Sequence, residues 1–212
     1  MQIAIPLYPR LTALDAIGPY EVLQRIPSID VVFVGERRGE VRTENGFLGL
    51  TVDAALDEVA APDVVVVPGG IGTRGMLAPG PYLDWLRAVH PGTRYTTSVC
   101  SGSLLLAAAG LLDGLTATTH WGALELLGRL GAVPVSERVV EHLDRRVITA
   151  AGVSAGIDMA IRLAELLVDG VAARAAQVAI EYDPQPPFDA GHPSRVDGEV
   201  MARVGEYSAL RA

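Results

Sequence analysis

PDVVVVPGG, residues 62–70, sets four valines in a row ahead of a Pro-Gly-Gly turn. A half-exposed strand alternates apolar and polar residues. This one does not, so it reads as a strand covered on both faces, as in a parallel sheet flanked by helices. Upstream lie a strand over QIAIPLY (2–8), a turn at PRLT, a helix carrying YEVLQRI and a strand over IDVVFVG (29–35). VRTENGFLGLTVD (41–53) reads as a hairpin turning at Asn45-Gly46. Downstream come a helix over PYLDWLRAVH, a strand over TRYTTSV and a small-residue, leucine-rich helix. LLDGLTATTHW then turns at Asp113-Gly114 into a short strand and the helix WGALELLGRL. A second hairpin over 138–150 turns around Leu143-Asp144. Two helices follow, SAGIDMAIRLAELLV and VAARAAQVAIEY, with PQPPF as the stop because proline lacks an N–H and clashes with the preceding turn. Alternating strands and helices give an α/β fold with a mainly parallel sheet and helices on both faces. The 212 residues suit a single domain, 1–212.

Composition narrows the function classes. Half the residues are apolar and a fifth are charged, the profile of a globular protein. The longest apolar runs, such as LLLAAAGLL (104–112), are far short of a membrane span. Met1 runs directly into the first strand rather than into a signal leader. One cysteine leaves no internal disulfide, so a reducing cytoplasm is the expected location. A net charge of −8 with scattered Lys and Arg argues against nucleic acid as a partner.

That cysteine stands at a junction. In TTSVCSGSLLLAAAG (96–110) a strand stops at Cys100 and a helix begins directly after it. Ligand sites in open α/β sheets gather at the carboxyl ends of the strands. Gly102, Ser101 and Ser103 suit a tight, strained elbow, although Ser98 replaces the first glycine of the GxSxG signature. A buried, inert cysteine is the competing reading. A thiol of ordinary pKa about 8.5 is only a few per cent ionised at neutral pH, so it needs help to react. None of His90, His120, His142 and His192 lies beside Cys100 in sequence, and each has an ordinary surface reading.

Asp15, in LTALDAIGPYEVL, is the other candidate partner. It could simply cap a helix. It could instead share the sheet edge with Cys100, where it would help only if burial kept it protonated, because an ionised carboxylate raises a neighbouring thiol's pKa. Gly69, Gly70 and Gly72 follow the valine strand, where bare backbone N–H groups could form an anion-stabilising hole. Neither phosphate-loop signature is complete there, and a plain turn stays open.

Taken in order, LDAIGP, VPGGIG, TTSVCSGSLLLAAAGLLDG, ATTHW, SAGIDMA and EYDPQPPFDAG resemble the ThiJ/PfpI superfamily, with its flavodoxin-like, glutamine-amidotransferase-like sandwich, and within it the isocyanide (isonitrile) hydratase branch. The resemblance runs from the first strand to about residue 191. It implies Cys100 as nucleophile, Asp15 as acid where other branches use Glu, and Ser101 as the hydroxyl residue beside the nucleophile. The protease-like branch has a His at that position. Gly69, Gly70, Ile71, Gly152 and Val153 match the loops lining the family's pocket, with Ala150-Ala151 where a glycine-rich run is expected. The implied reaction hydrates an isocyanide to an N-substituted formamide through a covalent thioimidate, with no metal or organic cofactor, in a homodimer. A cofactor-free glyoxalase acting on 2-oxoaldehydes and a ligand or redox sensor are the alternatives. The same module resembles the sensor half of AraC-type regulators, whose helix-turn-helix extension is not recognisable before residue 212.

Overall fold

The structure, a computed structural model, describes residues 1–209. They form two compact units, Met1–Ile180 and the segment from Glu181 onward. The first unit begins with β1 (Gln2–Pro6), α1 (Ala13–Leu23) and β2 (Asp30–Gly35). The hairpin β3 (Gly39–Arg42) and β4 (Gly49–Val52) follows, then the two-residue β5 (Ala54–Ala55) and the valine strand β6 (Val64–Val67). Next come α2 (Pro81–Val89), β7 (Tyr95–Val99), α3 (Gly102–Ala108), β8 (Thr116–Ala117), α4 (Leu124–Arg129) and β9 (Val133–Pro134). The unit closes with β10 (Val139–His142), β11 (Val147–Ala150), α5 (Ala155–Leu167) and α6 (Gly170–Ala179).

Seven strands make the main sheet in the order β10-β11-β7-β6-β1-β2-β5, parallel except where β10 pairs with β11. All four valines of β6 are fully buried, as their unbroken apolar run requires. Helices α1, α5 and α6 pack together, as do α2, α3 and α4, and these sets cover the two faces. α1 and α5 approach closely because Gly18 and Gly156 stand at their contacts, against Ile157 and against Val99 and Pro19.

Register positions the site. Val67 of β6 pairs with Ser98, and Ala150 of β11 pairs with Val99. The Pro68-Gly69 turn, Cys100 and Ala151 therefore leave the sheet side by side at its carboxyl edge.

Several boundaries differ from the sequence reading. The WGALELLGRL segment opens as a tight turn over Trp121–Ala123 before α4. α6 ends at Ala179, and Glu181 takes a positive φ of 50°, so backbone conformation stops that helix before the prolines do. β5 and β9, at two residues each, are too short for any periodicity to show. The second unit contains α7 (Gly198–Ala209), which follows the proline-rich stretch and was not anticipated. No residue of α7 is buried, although Val200, Val204 and Tyr207 recur at helical spacing, and Asp197 caps it by accepting from the Val200 N–H at 3.0 Å.

Candidate active site

The elbow after β7 is strained as its sequence suggests. Cys100 has φ = +57°, a left-handed conformation costing a non-glycine residue about 1–2 kcal/mol. Its surroundings over-determine that geometry. The Cys100 N–H donates to the carbonyls of Ala150 (3.1 Å) and Ala151 (3.0 Å). Its carbonyl accepts from Ser103 Oγ at 3.2 Å and Thr119 Oγ1 at 3.0 Å. Gly102 lets α3 start tight against β6, since a Cβ there would lie 2.2 Å from the Val67 carbonyl oxygen.

Asp15 is the third residue of α1, and Thr12 occupies the N-cap. The helix-cap reading of Asp15 therefore does not hold. Its side chain turns inward and is fully buried. Oδ2 accepts from the Gly69 N–H at 3.0 Å. A Cβ at residue 69 would lie 2.9 Å from that oxygen and 2.5 Å from Ser101 N, so only glycine fits between the acid and the elbow. Oδ1 has no formal hydrogen bond, although the Cys100 thiol interacts directly with this carboxyl.

Burial dominates the electrostatics. Desolvation pushes the Asp15 carboxyl up from 3.8 to about 8, against the stabilising Gly69 N–H and Cys100 contacts. It therefore holds its proton at neutral pH. Burial also pushes the Cys100 thiol up, an ionised Asp15 would add to that, and the N–H groups of Val153 and Ser101 pull the other way. With Asp15 protonated its charge repulsion disappears, and these two N–H groups act against desolvation alone.

The structure brings Cys100, Asp15, Ser101, Gly69, Gly70 and Val153 into one connected cluster. Ser101 Oγ accepts from the Gly70 N–H at 2.9 Å and donates to the Gly70 carbonyl at 3.1 Å. Gly69 and Gly70 thus direct their N–H groups to Asp15 and Ser101. The anion hole expected from the glycine loop is not formed by those two amides; the N–H groups facing the sulfur are those of Ser101 and Val153. Val153 itself has φ = +30°. Ile71 is tied elsewhere, its N–H donating to Glu44 Oε1 at 3.1 Å, and Gly152 packs on the His120 ring.

Four neighbours had no clear signal in the sequence. Tyr8, which reads as an ordinary strand residue, is buried, donates from Oη to the Pro68 carbonyl at 2.7 Å, and feels the charges of Asp15 and Cys100. Thr119 holds the Cys100 carbonyl, and Glu44 comes from the first hairpin. His120 is not an ordinary surface residue. It is partly buried beside Gly152, Nδ1 accepts from the Gly122 N–H at 3.2 Å, and burial pushes its pKa down. Among the described residues, no group of three or more His, Cys, Asp or Glu side chains is arranged to hold a metal ion. No helix among them is long and apolar enough to cross a membrane.

Comparison with known proteins identifies the family. The chain is 41% identical to an isonitrile hydratase from Pseudomonas putida over 209 residues, covering 99% of this chain and 90% of that protein. It is 35% identical over 117 residues to the HTH-type transcriptional regulator GbdR of Pseudomonas aeruginosa, covering 55% of this chain and 31% of the regulator. The crystal structure of a ThiJ/PfpI family protein from Pseudomonas syringae superposes with a TM-score of 0.91 at 35% identity, over 99% of this chain and 86% of that one. The model of the DJ-1/PfpI family matches residues 1–166, and with that match over most of its length the chain belongs to the DJ-1/PfpI family.

Proposed function

We propose that this protein is an isocyanide hydratase, with Cys100 as nucleophile and Asp15 as the proton carrier. The observation that carries the reading is an uncharged, buried carboxyl against a cysteine at a strained strand–helix elbow. The 41% identity to an isonitrile hydratase across nearly the whole chain supports the substrate class.

The sulfur forms a bond to the terminal carbon of R–N≡C, and Asp15 delivers a proton to that carbon as it takes up the thiol's own. The product is a neutral thioimidate, and no free ion is left in the buried site. Water then adds across the C=N bond, its oxygen to carbon and its proton to nitrogen, with Asp15 relaying protons. Collapse breaks the C–S bond, releases R–NH–CHO and returns the sulfur its proton. Ser101 holds the Gly70 loop against the elbow, and Gly69 keeps Asp15 in place. Gly152, Val153 and Ile71 border the space the substrate enters. The protein acts as a cytoplasmic homodimer; size-exclusion chromatography with light scattering reads that assembly directly.

The test is turnover of an aryl isocyanide followed as formamide. Wild type forms it and Cys100→Ala does not; formamide from the alanine variant would falsify the nucleophile assignment. Lactate from methylglyoxal without formamide from the isocyanide would make the protein a glyoxalase instead. The 35% identity to a transcriptional regulator favours a second reading, a ligand sensor. Stoichiometric binding without release of either product would establish it.

A further inference from the structure

Asp15 is held by a backbone amide, and that amide belongs to a peptide gripped from its other side. The Gly69 N–H donates to Asp15 Oδ2 at 3.0 Å. The carbonyl of the same peptide, that of Pro68, accepts from Tyr8 Oη at 2.7 Å. The peptide is trans, so its carbonyl and its N–H point in opposite directions. Tyr8 and Asp15 therefore stand on opposite sides of one planar unit. Gly102 of the elbow lies against the same carbonyl, where a Cβ would come within 3.0 Å of the oxygen.

The reaction scheme gives Tyr8 no task of its own. Its ring is buried and meets the Tyr82 ring edge-on, with centroids 5.6 Å apart. Burial pushes its phenol well above the usual range, so the hydroxyl keeps its proton and stays a donor. A buried phenol needs a partner, and any carbonyl would satisfy it. Tyr82, equally buried, uses the Pro6 carbonyl at 3.3 Å. Tyr8 instead takes the carbonyl whose own amide reaches the acid, and at the shorter distance.

We infer that Tyr8 is a positioning residue for Asp15, acting through the Pro68–Gly69 peptide: it fixes and polarises that peptide, so that Oδ2 accepts from the Gly69 N–H and the acid's proton stays on Oδ1. This rests on the hydratase reading for the use of that proton, but not for where it is held. Hydrogen bonds in a chain strengthen one another by about 10–30% per bond, so donation to the Pro68 carbonyl makes the Gly69 N–H a better donor. A donor to a carboxyl favours its ionised form. The link through Tyr8 therefore works against desolvation and limits how far the acid's proton affinity rises. The other titratable groups facing Asp15 are Cys100 from the elbow and Glu44 from the first hairpin, whose charge works the opposite way. Without the Tyr8 hydroxyl the peptide can tilt, and Asp15 both loosens and keeps its proton to higher pH.

Tyr8→Phe in the full chain tests it, since the ring and its contact with Tyr82 are kept. The first readout needs no substrate. The carboxylic C=O stretch of Asp15, identified as the infrared band that Asp15→Asn removes, should move to higher frequency as the bond to Oδ2 weakens. The second is turnover of an aryl isocyanide. The alkaline limb of kcat/KM should move up by roughly half a pH unit, and kcat should fall about threefold to tenfold with KM little changed. Tyr82→Phe removes an equally buried hydroxyl that does not touch the Pro68–Gly69 peptide, and should move neither the band nor the limb. The same movements from Tyr82→Phe would make the effect a general loss of packing and overturn the proposal. Wild-type hydration with band and limb both unmoved by Tyr8→Phe overturns the role of Tyr8 and leaves the hydratase reading standing. No hydration by wild type, with the band shifted in Tyr8→Phe, overturns the hydratase reading and upholds the hold of Tyr8 on the acid.

Discussion

The two ends of β7 are built to different standards. At the amino end every buried polar side chain has a partner. Thr96 Oγ1 bonds His90 Nδ1 at 2.9 Å and Thr93 Oγ1 at 3.0 Å, and Arg146 closes the corner by donating to the Pro91 carbonyl at 2.8 Å. At the carboxyl end stand all three buried side-chain oxygens found without a partner among the described residues: Asp15 Oδ1, Ser98 Oγ and Thr118 Oγ1. Asp15 touches the Cys100 thiol, Ser98 is two residues from it, and Thr118 precedes the threonine that holds its carbonyl. A left-handed cysteine adds to the strain there. Each orphaned group costs about 1–3 kcal/mol, so the fold sets its unsatisfied chemistry at one end and rests on a satisfied network at the other.

The largest break in that contrast comes from Asp15. Unfolded, its carboxyl titrates near 3.8; folded, at about 8. Between those values the folded state holds a proton the unfolded chain has lost. Stability from this group is therefore full below about pH 4 and drains away as pH rises through about 8, with a slope of about 1.4 kcal/mol per pH unit at most. Urea denaturation across pH 5–8 should show this slope in wild type and lose it in Asp15→Asn. The same variant should turn over isocyanide about 10²–10⁴-fold more slowly, and wild-type kcat/KM should fall above pH 8 as the carboxyl ionises. An unchanged slope would mean that the acid is ionised in the folded protein.

Gly69→Ala attacks the same end sterically. The added Cβ meets both Ser101 N and Asp15 Oδ2, so the acid must move from the thiol. A displacement of about 1 Å in a positioned group costs about 10²-fold in rate. We expect that loss in kcat/KM with near-native circular dichroism. Full activity would show that the Gly69 contact does not position Asp15.

Most of the architecture was legible because its signals are local. Four unbroken valines placed β6 inside, Asn45-Gly46 turned the first hairpin, and Leu143-Asp144 marked the second. The meeting of Cys100 and Asp15 at one sheet edge was among the readings open to the sequence, although Asp15 lies inside the first turn of α1 rather than ahead of a helix. What escaped was set by tertiary contact. Glu44 reaches the site only because β3 and β4 fold back over Leu11, and Tyr8 only because Pro68 passes above it. The glycine amides were misread for the same reason: Gly69 and Gly70 do present bare N–H groups, but the fold had already assigned them to Asp15 and Ser101.

The comparison is sharpened at the satisfied end by Thr96→Val. It removes the hydroxyl from His90 and Thr93 while keeping the β-branched shape, leaving both partners short of a bond. A loss of about 1–2 kcal/mol in unfolding free energy, read from the denaturant midpoint at unchanged m-value, is expected. Activity should be unchanged, because this end of the strand carries no chemistry.

The smallest effect should have the opposite sign. Ser98 Oγ is buried with no acceptor or donor, so its hydroxyl is desolvated for no return within the fold. Ser98→Ala removes the orphan, leaves a space no larger than an oxygen atom, and preserves the backbone pairing of Ser98 with Val67. Removing both the polar atom and its penalty should stabilise the protein by up to about 1 kcal/mol, against the loss expected from Thr96→Val two residues earlier on the same face of the strand. The pair of substitutions is nearly identical in chemistry and differs only in whether the fold supplied a partner. If Ser98→Ala instead destabilises by as much as Thr96→Val, the Ser98 hydroxyl has a partner in solution, and the contrast between the two ends of β7 reduces to Asp15 and Thr118.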